Sequence, residues 1–177
     1  MKPINILAIS GSLRPNSSNN AIINIIAGMA PESVTITTYH GLASLPHFNP
    51  DLDNDTPPAS VAELRGLLKH ADGVLISTPE YAFGVPGSLK NALDWTVSSG
   101  EFVDKPVALV TASSRGQDAH ASLLLTLVAI SAKVDEGATL LIPFIRSKVN
   151  NEGQITDAEV LSSLQKVFAA LLKAIGQ

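Results

Sequence analysis

Hydrophobic residues along the chain follow two alternating patterns. Short apolar runs of the kind that form strands occupy residues 4–9, 33–38, 73–78, 106–111 and 139–143. Several of these runs are apolar at consecutive positions, as expected of strands covered on both faces. Segments with a helical period follow them, at residues 19–30, 57–71, 87–98, 119–133 and 157–175. The alternation predicts an α/β fold whose helices cover both faces of a parallel sheet.

The number of strands narrows the fold class. Five strands in 177 residues favour a flavodoxin-like, doubly wound, five-stranded parallel sheet with the order 2-1-3-4-5. We expect one domain, residues 1–177, with a ligand crevice where strands 1 and 3 end. The loops after strands 1, 3 and 4 are therefore the candidate functional regions. At helix starts, Thr56 before two prolines predicts a cap, and Thr156 with Glu159 predicts a capping box.

Composition excludes several classes of function. The chain has no cysteine, so any redox chemistry requires a bound cofactor rather than a thiol or an iron–sulfur cluster. The formal net charge is −4 and the 12 basic residues form no run, which argues against a nucleic-acid partner. No apolar segment approaches the roughly 18 residues of a membrane span, and no signal peptide precedes the first strand. We expect a soluble cytoplasmic protein without a membrane partner.

A metal site is not expected. His40, His47, Asp51 and Asp53 occur together in the long loop after the second strand. Their spacing matches no standard zinc or calcium pattern.

The loop after the first strand has the character of an anion site. It reads Gly11-Ser12-Leu13-Arg14-Pro15-Asn16-Ser17-Ser18-Asn19 and leads into a helix. Hydroxyls, amides and an arginine beside the free N–H groups of a helix start favour a terminal phosphate. The loop matches neither G-x-x-x-x-G-K-[ST] nor G-x-G-x-x-G, which argues against triphosphate hydrolysis and pyrophosphate binding. These residues alone leave open that the serines and asparagines only cap the helix.

The loop after the third strand is suited to a planar ring. Residues 79–95 contain prolines and glycines that restrict the backbone, together with Tyr81 and Phe83 as flat apolar surfaces. The alternative is a rigid turn in which both aromatic residues belong to the core. On the following helix, Lys90 and Asp94 form an i, i+4 pair, and Trp95 lies in a core or an interface.

The loop after the fourth strand should face the edge of such a ring. Its hydrogen-bond donors and its positive charge would stabilise a ring that becomes anionic on reduction. An ordinary surface role for Arg115 is equally open. The candidates in this loop are Ser113, Arg115, Gly116 and Gln117.

Two of these loops resemble the signatures of the NADPH-dependent FMN reductase family, which includes quinone, chromate and azo-dye reductases. The run Gly-Ser-Leu-Arg-x-x-Ser-x-Asn is similar to the family's phosphate loop, which implies that the FMN phosphate is held by Ser12, Arg14, Ser17 and Asn19. Residues 79–95 are similar to the second signature, which implies that the flavin is lined by Pro79, Glu80, Tyr81 and Gly84. Two departures are Ala82, where the family often has asparagine, and a third loop whose usual glycines are reduced to Gly116.

The resemblance implies an FMN-dependent oxidoreductase. Hydride would pass from NADPH or NADH through bound FMN to a quinone, a flavin or a similar small acceptor, without a catalytic side chain. It also implies a homodimer formed through the region of residues 87–98, or a homotetramer. Two alternatives remain open, namely a flavodoxin-type electron carrier for a protein partner and a regulatory relative that has lost flavin. Such carriers are commonly more acidic than a net charge of −4.

Overall fold

Five parallel strands form the predicted sheet. The computed structural model describes residues 3–150 and 154–176. The strands are β1 (Ile4–Ser10), β2 (Val34–Tyr39), β3 (Gly73–Thr78), β4 (Val107–Ala112) and β5 (Thr139–Ile142). Their order is β2-β1-β3-β4-β5, and every neighbouring pair is parallel. The predicted fold class and strand order are confirmed.

Helices cover both faces of the sheet. They are α1 (Ser18–Gly28), α2 (Ala59–His70), α3 (Gly87–Asp94), α4 (Gln117–Ala129) and α5 (Ala158–Ile175). Side chains of α1 and α5 pack in one core cluster with Ile6 and Ala8 of β1, whereas Leu7 and Ile9 join α2, α3 and α4 in the other. Alternate residues of one strand thus enter opposite cores. Every residue of β3 and β4 is buried, which accounts for the consecutive apolar residues at 74–76 and 107–110.

Helix ends show where the pattern misled. The third helix was predicted to reach residue 98 but ends at Asp94, and the fourth ends at Ala129 rather than residue 133. Thr56 does not cap α2, because the helix begins at Ala59 and its N-cap position is Pro58; the Thr56 hydroxyl instead donates to Asn54 Oδ1. The predicted capping box is also wrong, since Asp157 rather than Thr156 caps α5. A carboxylate suits the positive end of the helix dipole better than a neutral hydroxyl.

The loop between β2 and α2 packs beneath α3. It contains short 3₁₀ turns at Leu42–Ser44 and Pro50–Leu52. Its Pro46 carbonyl accepts hydrogen bonds from Trp95 Nε1 at 2.8 Å and Asn91 Nδ2 at 3.0 Å, and the Phe48 ring meets the Trp95 ring edge-on at 5.1 Å. Trp95 is fully buried within its own chain, so it is a core residue and not an interface aromatic.

The described residues contain neither a membrane-spanning helix nor a cluster of metal-binding side chains. None of their helices combines the length and apolar character that crossing a membrane requires. Residues 3–150 and 154–176 also contain no group of three or more histidine, aspartate or glutamate side chains arranged to hold a metal.

Candidate flavin site

A cavity of about 520 Å³ opens at the carboxyl ends of the central strands. This volume lies in the range of small-molecule and cofactor sites. The cavity is lined by Ser12, Arg14, Asn16, Ser17, Ser18, Asn19, Pro79, Glu80, Tyr81, Ala112, Ser113, Ser114, Ile145 and Arg146. It therefore brings together the four predicted residues of the first loop, three of the second and one of the third. The predicted residues Gly84, Arg115 and Gly116 do not line it.

The first loop is held close to the end of β3. Gly11 N donates to the Ser77 carbonyl at 2.8 Å. A Cβ atom at Gly11 would overlap the Thr78 side chain, so only glycine permits this approach. The close approach brings the following residues over the end of the sheet.

Serine side chains organise the turn into α1. Ser17 Oγ accepts a hydrogen bond from Asn20 N at 3.1 Å and caps the helix. Ser12 Oγ accepts from Arg14 N at 3.3 Å, and both serines are buried. Each hydroxyl accepts one bond and retains its own O–H as a donor, and both residues line the cavity. Capping and anion binding are thus compatible roles of the same side chains.

Asn19 joins α1 to two strands. Its Oδ1 accepts from Ser77 Oγ at 2.9 Å, and its Nδ2 donates to the Ala112 carbonyl at 3.3 Å. The side chain is almost fully buried. Asn19 therefore positions the helix N-terminus against β3 and β4, in addition to the phosphate contact that the resemblance implies.

The second loop ends in a tight turn with unusual backbone angles. Tyr81 and Gly84 exchange backbone hydrogen bonds of 3.0 and 2.9 Å, and the two residues between them, Ala82 and Phe83, have φ angles of +48° and +59°. Positive φ at both central positions is typical of a type I′ turn, which favours asparagine and glycine. The asparagine that the family often carries at the position of Ala82 thus has a backbone explanation.

Both aromatic residues of this loop face solvent. Tyr81 is 53% exposed and Phe83 is 67% exposed, so the alternative that they are core residues is wrong. Tyr81 and Pro79 form one side of the cavity. An exposed aromatic beside a polar cavity provides the apolar surface against which a planar ring can stack.

Glu80 and Ser113 connect the second loop to the third. Glu80 Oε2 accepts from the N–H groups of Asp118 and Ala119, each at 3.0 Å, and so caps the start of α4. Glu80 N donates to Ser113 Oγ at 3.2 Å. The carboxylate at the cavity wall is therefore already engaged with a helix dipole.

The other third-loop candidates lie away from the cavity wall. Gly116 has a φ of +99° immediately before α4, and a Cβ atom there would come within 2.8 Å of Leu141 Cδ1. Its glycine is thus required by the backbone. Arg115 is exposed, and Gln117 lies exposed in the first turn of α4. Flavin contacts by these three residues stay predictions.

A half-buried histidine supports the end of β4. The His120 ring Nδ1 lies 2.8 Å from Thr111 Oγ1. Burial lowers the pKa of His120 below its ordinary value, so the ring is neutral at pH 7. His120 is therefore a structural partner of Thr111.

Sequence reasoning missed one wall of the cavity. Ile145 and Arg146 come from the turn after β5, Ile145–Lys148, a region outside the loops selected from the strand order. An arginine shortly after the end of a strand was the available signal. It was overlooked because the switch-point rule directs attention to the central strands.

The fold and the cavity together define a flavodoxin-like protein with a polar cavity at the carboxyl ends of its central strands. The model of the NADPH-dependent FMN reductase family matches residues 4–145. The chain belongs to this family, which confirms the resemblance.

Named relatives agree with this assignment. A quinone reductase of Escherichia coli strain K12 is 31% identical over 168 residues, covering 91% of this chain and 89% of that protein. An NAD(P)H-dependent FMN reductase of Pseudomonas aeruginosa is 31% identical over 173 residues, covering 95% and 93%. Among solved structures, a flavoenzyme NAD(P)H:(acceptor) oxidoreductase from Paracoccus denitrificans superimposes with a TM-score of 0.84 at 28% identity, covering 98% and 97% of the two chains.

Proposed function

We propose that this protein is an FMN-dependent NAD(P)H oxidoreductase whose acceptor is a quinone, a flavin or a similar small molecule. The observation that supports this activity most directly is the cavity at the carboxyl ends of the central strands. It has hydroxyls and arginine at one end and an exposed aromatic loop at the other. The family assignment and the quinone and FMN reductases among the relatives support the same activity.

The two ends of the cavity fit the two ends of FMN. Ser12, Ser17 and Arg14 offer donors to a phosphate beside the start of α1. Pro79 and Tyr81 offer apolar surface to the ring. Bound FMN would supply the capacity to accept and release hydride. The chain's own residues contribute binding, orientation and the electrostatic environment.

The direct test is reconstitution. The purified protein is titrated with FMN while flavin absorbance and fluorescence are recorded, and NADPH and NADH oxidation is then followed with a quinone. We expect saturable FMN binding and quinone-dependent oxidation. Binding without oxidation would favour an electron carrier, and absence of binding at micromolar FMN would favour a relative that has lost flavin.

The phosphate end can be tested separately with Arg14→Gln. Loss of a charge-assisted hydrogen bond should weaken FMN binding by roughly 10- to 100-fold and leave riboflavin binding unchanged. Lys166→Gln, on an exposed position of α5, removes the same charge away from the cavity and should alter neither affinity. Equal weakening of both flavins by Arg14→Gln would contradict a phosphate contact.

We also propose a cytoplasmic location, where NAD(P)H is available.

A homodimer is a further part of the proposal. Leu125 and Val128, one helical turn apart on α4, are 73% and 69% exposed. Val97, after α3, is 62% exposed. Apolar side chains this exposed are typical of an association surface. Leu125→Glu should shift the sedimentation coefficient from dimer to monomer, and a monomeric parent protein would refute the dimer.

A further inference from the structure

The turn after β5 is rigidly placed beside the cavity. Ile145 N donates to the Ser113 carbonyl at 3.1 Å, and Phe144 N donates to the Ser114 carbonyl at 3.3 Å. Phe144 itself has a φ of +54°, a conformation that bulky residues rarely adopt. At the other end, Lys148 pairs with Asp157 at 2.7 Å. These contacts fix the backbone of Arg146 relative to the β4 loop.

Arg146 lies between two polar cavities. It lines the main cavity with Arg14 and the serines of the first loop. It also lines an adjoining cavity of about 470 Å³, whose other wall is formed by the end of the first loop and the start of α1, including Asn16, Ser17 and Ser18. The arginine therefore faces the N-terminal turn of α1 across the space where the first loop presents its donors.

The charges around Arg146 are unbalanced without an anion. No ion pair of the described residues involves Arg14 or Arg146, and α1 has no acidic residue in its first turn. Glu80, the acidic residue lining the main cavity, is engaged by two N–H groups of α4. A guanidinium is unfavourable beside the positive end of a helix dipole unless an anion lies between them.

We propose that Arg146, from the turn after β5, is a second guanidinium for the FMN phosphate and acts together with Arg14. This inference rests on the proposed function. A phosphate monoester carries a charge of about −1.5 to −2 at pH 7, which two arginines and a helix N-terminus neutralise. Arginine also presents a planar pair of donors that fits phosphate oxygens. The phosphate site is thus built from residues after both β1 and β5.

The experiment compares Arg146→Gln, Arg146→Lys and the control Lys166→Gln in the full-length protein. FMN and riboflavin affinities are measured by fluorescence quenching, and a thermal melt of each apoprotein reports folding. We expect Arg146→Gln to weaken FMN binding by roughly 10- to 100-fold, with riboflavin binding unchanged. Arg146→Lys should recover part of the loss, because it restores the charge without the planar donor pair.

Several outcomes would overturn the inference. Unchanged FMN affinity in Arg146→Gln, or equal weakening of FMN and riboflavin, would exclude a phosphate contact. A raised KM for NADPH but not for NADH, at full FMN occupancy and with unchanged FMN affinity, would assign Arg146 to the reductant instead. Failure of the parent protein to bind FMN would refute the proposed function itself, whereas an effect of Arg14→Gln alone would refute only the role of Arg146.

Discussion

The phosphate end and the ring end of the cavity are supported by different kinds of interaction. At the phosphate end, neutral buried groups hold the loop, and the central contact is Asn19 with Ser77. At the ring end, the support is charged, because the Glu80 carboxylate accepts hydrogen bonds from two N–H groups at the start of α4. The ring loop also contains two residues with positive φ. The comparison indicates that the first loop is held by buried neutral contacts, whereas the conformation of the second loop depends more on one charged contact and on local sequence.

The largest expected effect comes from removing the neutral support. Asn19→Leu leaves Ser77 and the Ala112 carbonyl without their partner and should lower the free energy of unfolding of the apoprotein by about 2–4 kcal/mol. Urea unfolding measures this loss. Asn16→Leu makes the same change at an exposed position of the loop and should change stability by less than about 0.5 kcal/mol. Equal losses in the two variants would mean that Asn19 is no structural anchor.

Removal of the charged support at the ring end should lower the free energy of unfolding by a smaller amount. Glu80→Ala removes the cap of α4 and should lower the free energy of unfolding by about 1–2 kcal/mol. Because the second and third loops would then move independently, riboflavin affinity should also fall. Asp118→Asn removes a charge from the same helix turn without that cap and should cost below about 1 kcal/mol. If Glu80→Ala left riboflavin affinity unchanged, the cap on α4 would not contribute to binding at the ring end of the cavity.

The loop that packs beneath α3 should respond to acid. Hydrogen bonds from Ser98 and Arg65 hold the pKa of Asp53 below its ordinary value. A lowered pKa in the folded state contributes stability above the unfolded pKa of about 3.9, and this contribution is lost as the pH falls below it. Asp53→Asn should therefore remove roughly 1 kcal/mol at pH 7 and less at pH 3. Unfolding curves at both pH values test this, with exposed Asp51→Asn as the control.

The smallest effect should be a gain. Ala82→Asn places a residue that tolerates positive φ in the turn and should raise the free energy of unfolding by roughly 0.5 kcal/mol. Ala62→Asn makes the same substitution in the exposed, right-handed backbone of α2, where asparagine is unfavourable, and should lower stability slightly. A loss at both positions would show that the Ala82 turn is not strained.

The fold was largely predictable because its signals are local or periodic. Apolar runs such as that of β3 identify buried strands, and glycine, serine and proline mark the loops between them. The first loop was also recognisable, since phosphate binding at a helix start uses consecutive residues. The ends of helices were less predictable, because Asp157 and Thr156 are both acceptable caps until the backbone selects one.

The cavity could be predicted only in part. Ser12, Arg14, Ser17 and Asn19 line it as expected, but the structural use of Asn19 depends on Ser77 and Ala112, which are distant along the chain. Arg115 and Gly116 follow β4, as the site's position required, yet lie off the cavity wall. Sequence order does not specify in which direction a loop residue points.

The sequence by itself determined a doubly wound α/β fold, a loop rich in hydroxyl and amide groups after β1 and a family resemblance, because these depend on periodicity and on contiguous motifs. The tertiary structure alone decided that Arg146 joins the cavity, that Glu80 caps α4 and that Trp95 is buried. Each of these results from contacts between residues far apart in the chain, whose distances are set by how helices and loops pack on the sheet.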